Sequence, residues 1–217
     1  MRPSRLMIDM DGTIYKGRNV INGAPEFIRF LNNENIPFVF LTNNSSNTRE
    51  YYVNKLKAMG FEVSKDAVLT STIATVRFIK ERRAGKKVFV IATPDVTKEI
   101  EESGITSCEE EPDIVLLTFD RSITFDKINK AYHFIMKGAE LIATHPDDLC
   151  PTEDAYDVDI GQFIHMLSVL TGATPIIVGK PSMLMIEMAA GEMGVDKDST
   201  MMIGDRLYTD IRMASNA

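Results

Sequence analysis

The sequence predicts an α/β fold of parallel βαβ units, and three observations carry that prediction. Short apolar runs at residues 37–41, 87–92, 113–118 and 200–203 read as buried strands. Segments of helical period lie between such runs, several closed by a glycine: Gly60, Gly104, Gly138, Gly172 and Gly194. The two kinds of segment alternate almost throughout, the pattern of strands joined by crossover helices that cover both sheet faces.

Taken in order, Leu6-Met7-Ile8 is an apolar strand stopped by carboxylates. A helix starts near Pro25, a residue suited to a first turn, with Phe27, Phe30 and Leu31 expected on one face. Strand 37–41 leads into the polar turn Thr42-Asn43-Asn44-Ser45-Ser46 and a helix over 48–59, for which Asn47 and Glu50 are spaced as a capping pair. A helix is expected over 73–82, a strand at 87–92 and a helix at 94–103. Strand 113–118, helix 125–137 and strand 140–143 follow. Residues 144–157, with Pro146 and Pro151, read as a long functional loop. Helix 159–170, strand 175–178, helix 181–193, strand 200–203 and a last helix from about Thr209 complete the pattern.

Composition limits the function classes. With 24 basic and 31 acidic residues the formal net charge is −7, which argues against a nucleic-acid backbone or an anionic membrane as partner. A small anionic substrate stays open, because a bound metal reverses the field locally. Cys108 and Cys150 have no zinc-ligand spacing and read as free thiols in a reducing compartment. No apolar segment has the length of a signal sequence or membrane span, so a cytoplasmic protein is expected.

Chemistry concentrates at strand ends. Asp9 and Asp11 lie two apart where an apolar strand stops, so both carboxylates can face one pocket at the sheet edge where ligands bind. Gly12 permits a sharp turn, and Thr13 can bond across it. Met201-Met202-Ile203-Gly204-Asp205 repeats the pattern, with Asp210 five positions later; helix capping is the plainer reading for Asp210. Thr42 brings a hydroxyl, Asn43 and Asn44 amide donors beside a helix start, and Lys180 a cation after Ile176-Ile177-Val178-Gly179.

These four motifs resemble, in type and order, those of the haloacid-dehalogenase superfamily. Asp9-Met10-Asp11-Gly12-Thr13 is similar to its first motif, Leu41-Thr42-Asn43-Asn44 to its second and Gly179-Lys180-Pro181 to its third. Gly204-Asp205-Arg206-Leu207-Tyr208-Thr209-Asp210 is similar to its fourth. The wording Leu-Thr-Asn-Asn-Ser and Gly-Asp-Arg-Leu-x-Thr-Asp resembles the NagD-like, p-nitrophenyl-phosphatase-like branch. That branch inserts a large α/β cap between its second and third motifs, and the 136 positions from Asn44 to Lys180 leave room for one. The resemblance implies a Rossmann-like parallel-sheet core over residues 1–80 and 175–217, interrupted by a cap over 81–174. It also implies further strands and a helix after Ala217, so the core reads as shortened there. The strand ending at Asp205 would then have an open edge, which a second copy could cover.

By the same resemblance the chain is a Mg²⁺-dependent phosphatase of small phosphomonoesters, such as a sugar phosphate or nucleoside monophosphate. Asp9 would be the nucleophile of an aspartyl-phosphate intermediate, and Asp11 the general acid and base. The Asp9 carboxylate, the Asp11 main-chain carbonyl and Asp205 would hold the metal. Thr42, Asn43, Asn44 and Lys180 would bind the phosphoryl group, with Asp210 in support. In the cap, His145 would bind substrate or hydrogen-bond a turn, Asp159 would set specificity or cap a helix, and Asp147 lies beside them. A phosphotransferase and a non-catalytic binding protein are the alternatives.

Overall fold

A computed structural model of the chain describes residues 5–152, 155–194 and 199–216. Packing divides the chain into two units. Unit 1 comprises Met1–Thr42, Arg49–Thr70 and Lys180–Ala217; unit 2 comprises Asn43–Thr48 and Ser71–Gly179.

Unit 1 is built on β1 (Arg5–Asp9), β4 (Phe38–Thr42), β5 (Val68–Thr70) and β12 (Thr200–Ile203), in the order β12-β1-β4-β5 with every pair parallel. Leu6, Met7, Ile8 and Asp9 are all buried, so β1 is covered on both faces, as a central parallel strand should be. Leu6 and Ile8 join a core with Met10, Ile28, Leu31, Phe40 and Leu56. Ile28 and Leu31 come from α1 (Ala24–Asn33), and Leu56 from α2 (Arg49–Ala58). Ridge alternation makes the two-residue periodicity of β1 and the helical periodicity of α1 and α2 meet in this one cluster.

Three sequence expectations change in unit 1. Phe30 is 53% exposed, and the buried face of α1 is Ala24, Ile28 and Leu31, one position round from the expected stripe. Residues 13–23, unassigned from sequence, contain the hairpin β2 (Tyr15–Lys16) and β3 (Asn19–Val20), folded around the positive-φ Gly17. The last helix is preceded by a π-helical turn, Leu207–Ile211, and only Arg212–Ser215 (α8) is α-helical.

Unit 2 has its own parallel sheet, β6 (Val88–Ile91), β7 (Ile114–Leu117), β8 (Glu140–Ala143) and β11 (Ile176–Ile177), ordered β11-β8-β7-β6. The connecting helices are α3 (Ser71–Arg82), α4 (Pro94–Glu102), α5 (Phe125–Met136) and α6 (Ile160–Thr171). Phe89, Val115, Leu117, Ala131, Leu141, Ile164 and Leu167 form its core. The expected loop 144–157 contains the antiparallel pair β9 (Leu149–Pro151) and β10 (Tyr156–Val158). Its edge position and two prolines had masked the strand pattern.

The packing division falls at 70/71 and 179/180, where the sequence had suggested 80/81 and 174/175. The cause is visible at both ends: α3 packs against α4, and β11 pairs with β8. The strand before Lys180 therefore belongs to the sheet of unit 2 and does not share a sheet with β1. In unit 1 the chain continues through α7 (Met183–Met193), whose Met185 and Met188 are core residues. Among the described residues, no helix is long and apolar enough to cross a membrane, and Cys108 and Cys150 are not joined in a disulfide.

Candidate active site

Parallel pairing brings the ends of β12, β1 and β4 side by side: Ile8 lies opposite both Ile203 and Phe40, and Asp9 opposite Leu41. Each strand hands a functional group to the same edge within two residues of its end, Asp205 after β12, Asp9 closing β1 and Thr42 closing β4. Asp9 and Thr42 are buried there. Dense apolar packing of the strands leaves these polar groups a fixed backbone and little rotamer choice.

Lys180, 3% exposed, is held between two carboxylates. Its Nζ donates to Asp9 Oδ1 and, at 2.7 Å, to Asp210 Oδ1. Asp210 is fully buried and accepts a second bond at 3.2 Å from the Arg206 main-chain N–H, across the π-helical turn. Asp210 thus accepts both from the lysine and from a main-chain N–H at the start of the turn. The Thr13 hydroxyl donates to Asp9 Oδ2 over a longer 3.4 Å.

Burial pushes the Asp9 carboxyl above the ordinary carboxylate range; Lys180 pulls it down, while Asp210 and Asp205 push it up. For Lys180, burial alone would lower the ammonium, but Asp9 and Asp210 outweigh it and hold the group above the usual lysine value. The centre carries more negative than positive charge, and its physics favours another cation.

Carboxylate oxygens of Asp9, Asp205 and Asp210 lie within 4.8 Å of one another. An all-oxygen donor set of this size suits a hard divalent ion, Mg²⁺ in particular. The Asp205 carboxylate is seated against Gly12: a Cβ there would fall 2.6 Å from Asp205 Cγ and 2.8 Å from Oδ1, and the φ of 104° also favours glycine. Gly12→Ala is therefore expected to lower metal affinity about tenfold or more by displacing a donor, read by Mg²⁺ titration of thermal stability. An unchanged titration would remove the seating role.

Asp11 stands apart from this cluster and is exposed. Partial desolvation still raises its pKa, with Asp205 adding, while Lys55 and Arg206 draw it down. Lys55, from α2, also lies 3.8 Å over the ring of Tyr15. Neither Lys55 nor Arg206 was singled out from sequence, since lone basic residues on helices or turns carry no pattern of their own.

The remaining expected site residues lie in unit 2. Asn43 is buried; its Nδ2 donates to Asp147 Oδ2 at 3.1 Å, and its carbonyl accepts from Ser71 Oγ at 2.5 Å. Asn44 turns its carbonyl oxygen onto its own loop, accepting from the Ser46 N–H at 3.0 Å and hydroxyl at 2.7 Å. His145 and Asp159 are both buried and bonded to each other, Nε2 to Oδ1, at 3.0 Å. Asp159 Oδ1 also caps α6 by accepting from the Ile160 N–H at 2.7 Å. Of the two readings the sequence left open for each residue, the geometry matches the structural one: His145 hydrogen-bonds within the fold and Asp159 caps a helix.

Known proteins provide a separate line of evidence. A haloacid dehalogenase-like hydrolase family model matches residues 6–106, and a HAD-hydrolase-like model matches residues 177–217. The chain is 36% identical over 211 residues to the 5′-nucleotidase YutF of Bacillus subtilis, spanning 97% of this chain and 82% of that protein. It is 34% identical to an acid sugar phosphatase of Staphylococcus saprophyticus, with the same coverage. A 4-nitrophenylphosphatase structure from Thermotoga maritima superposes with a TM-score of 0.93 at 39% identity, covering 99% of this chain and 82% of that one.

Proposed function

The chain belongs to the haloacid dehalogenase-like hydrolases, in their NagD-like branch of phosphomonoester hydrolases, and on that premise we propose a Mg²⁺-dependent phosphatase acting through an aspartyl-phosphate on Asp9. The observation that carries this reading is Lys180, buried between Asp9 and Asp210 with Asp205 at ligand spacing. Unit 2 is the inserted α/β cap, and small phosphorylated metabolites are the substrates; relatives named for nucleotides and sugar phosphates support a sugar phosphate or nucleoside monophosphate.

The chemistry follows from charge. An Asp9 carboxylate approaching a phosphoryl oxygen at 4 Å meets about 4 kcal/mol of repulsion per unit charge at an effective dielectric near 20. Lys180 offsets part of this and keeps its proton throughout. Asp9, Asp205 and the Asp11 carbonyl would hold Mg²⁺, which supplies charge neutralisation when bound. An Asp9 oxygen forms the bond to phosphorus as the ester P–O bond breaks, and Asp11 gives its proton to the leaving oxygen. Asp11, now a base, takes a proton from water; the water oxygen bonds to phosphorus, and the Asp9–phosphorus bond breaks. The upward shift of Asp11 suits the acid half of this cycle. Thr42 and the Asn43 amide bind the phosphoryl oxygens, and the protein acts in the cytoplasm.

A phosphate-release panel of sugar phosphates and nucleoside monophosphates, with Mg²⁺ or with chelator, tests the reading. Turnover of at least one class is expected, lost on chelation; metal-independent turnover would sink the proposal. Stability supplies a second readout with a definite sign. The folded pKa of Asp9 is raised, so without metal the folded state binds more protons than the unfolded chain. Metal-free stability then falls as pH rises from the ordinary carboxylate value of 3.8 through the folded one. A divalent ion binds the ionised form, so the Mg²⁺-minus-chelator gap in thermal midpoint is expected to widen as pH rises above the ordinary carboxylate value.

A further inference from the structure

Unit 2 contains a fully buried chain of polar groups that the chemistry above does not use. The Phe119 N–H donates to Ser45 Oγ at 2.8 Å, and the Ser45 and Thr144 hydroxyls are 2.8 Å apart. Thr144 Oγ1 is 3.1 Å from His145 Nδ1, and His145 Nε2 is 3.0 Å from Asp159 Oδ1. Ser45, Thr144 and His145 are each 0% exposed, so water cannot stand in for a lost partner.

Donor and acceptor bookkeeping gives this chain a direction. A carboxylate only accepts, so His145 carries a proton on Nε2, and in the neutral imidazole Nδ1 is then the acceptor. The acceptor takes the Thr144 O–H; the Thr144 oxygen takes the Ser45 O–H; the Ser45 oxygen takes the Phe119 N–H. Every proton in the series then has one partner, running from the main chain at Phe119 to the carboxylate at the start of α6. Ser45 Oγ lies 3.5 Å from Nδ1, at the limit of a second contact.

Gly179 packs against this network and against Asn43. Its N–H donates to the Thr144 carbonyl at 2.7 Å. A Cβ on Gly179 would fall 2.8 Å from Asn43 Oδ1, 3.2 Å from His145 Cβ and closer still to the Thr144 carbonyl oxygen. The Thr144-His145 peptide, the Asn43 side chain and Gly179 are thus in close mutual contact. Asn43 and Gly179 are the chain neighbours of Thr42 and Lys180.

We propose that His145 is a positioning residue for phosphoryl transfer: by accepting the Thr144 hydroxyl through Nδ1 while Asp159 holds Nε2, it fixes the Asn43 and Gly179 backbones from which Thr42 and Lys180 extend. The proposal rests on the phosphatase reading above. It explains why a buried histidine pairs with a helix-capping aspartate, and why glycine precedes Lys180. The key acceptor is Nδ1, on the side of the Asn43 loop, so the two nitrogens have separable duties.

Two substitutions separate them. His145→Asn places an amide oxygen near the Nδ1 position and keeps an acceptor for Thr144; His145→Gln reaches towards Asp159 and leaves the Thr144 proton without one. With the Mg²⁺-loaded enzyme, His145→Asn is expected to keep kcat within about threefold, whereas His145→Gln loses about tenfold or more with KM changed less than about twofold. Thermal unfolding of both is recorded alongside. Nitrogen-15 spectra of the wild type at about pH 8, where an ordinary imidazole is neutral, are expected to show His145 as the Nε2–H tautomer. His133 and His165 are exposed and serve as internal references. An Nδ1–H tautomer, or kcat losses in the two variants that simply track their losses of thermal midpoint, would overturn the proposal. The spectrum decides even where a variant does not fold. Asp9→Asn in the same assay separates the two readings: full activity in that variant removes the phosphatase mechanism, while its inactivity with equal Asn and Gln variants removes only the positioning role.

Discussion

Asp9→Asn is expected to reduce kcat by about 10⁴ or more with saturating Mg²⁺, while leaving the protein folded. The amide is nearly isosteric and still accepts from Lys180, whose ammonium otherwise donates to Asp9 and Asp210. What disappears is the nucleophilic oxygen, and no other carboxylate holds the same position. Asp210 is fully buried and already committed to Lys180 and to the Arg206 N–H. Without metal, the same substitution removes one negative charge from a centre of three carboxylates and one ammonium. The variant should then unfold at the wild-type temperature or above it in chelator. Rapid-quench measurement of protein-bound phosphate checks the mechanism directly: wild type should trap label on Asp9, and the variant none. Trapped label at wild-type level in Asp9→Asn would place the nucleophile elsewhere.

Removal of Lys180 should damage both stability and turnover. Lys180→Met keeps much of the volume but leaves Asp9 and Asp210 buried without their shared cation. Breaking a buried pair in this way costs about 3–5 kcal/mol. The loss should be larger at alkaline than at acidic pH, because protonation relieves the uncompensated carboxylates, and denaturant unfolding across pH reads it. Turnover should fall about 10³-fold or more, since a preorganised charge beside the reacting phosphoryl group is lost. Lys180→Arg restores the charge but not the point geometry, and should recover stability better than rate. Activity within tenfold of wild type for Lys180→Met would assign the lysine a structural role alone.

Much of this was legible in the residues, and the exceptions have physical causes. Strand ends announced themselves because apolar runs stop at polar or charged groups: β1 at Asp9, β4 at Thr42 and β12 before Asp205. Family motifs then assigned chemistry that spacing alone left open. Which sheet each strand joins was not readable. The run before Lys180 looks like the others, yet pairs with β8, because sheet membership is decided by packing partners far along the chain. The hairpin of β9 and β10 was hidden by prolines at an edge, where no alternation is required. His145 illustrates a further limit: a polar Thr-His-Pro-Asp stretch suggests a wet loop, but its first two side chains are wholly buried. Burial there depends on Ser45 and Asp159, partners 100 and 14 positions away.

The two sheets differ in how far apart in the chain their neighbours lie. In unit 2, β6, β7, β8 and β11 lie side by side in the order in which they occur, each reached by one crossover. In unit 1, Arg5 lies opposite Thr200. Closing that pair requires almost the whole chain, and the entropy of so long a loop grows only slowly but weighs on the rate of finding it. During synthesis the sheet of unit 2 can therefore assemble while β1 still lacks β12. Asp9 is then in place well before Asp205, a later member of the same carboxylate cluster, has been made.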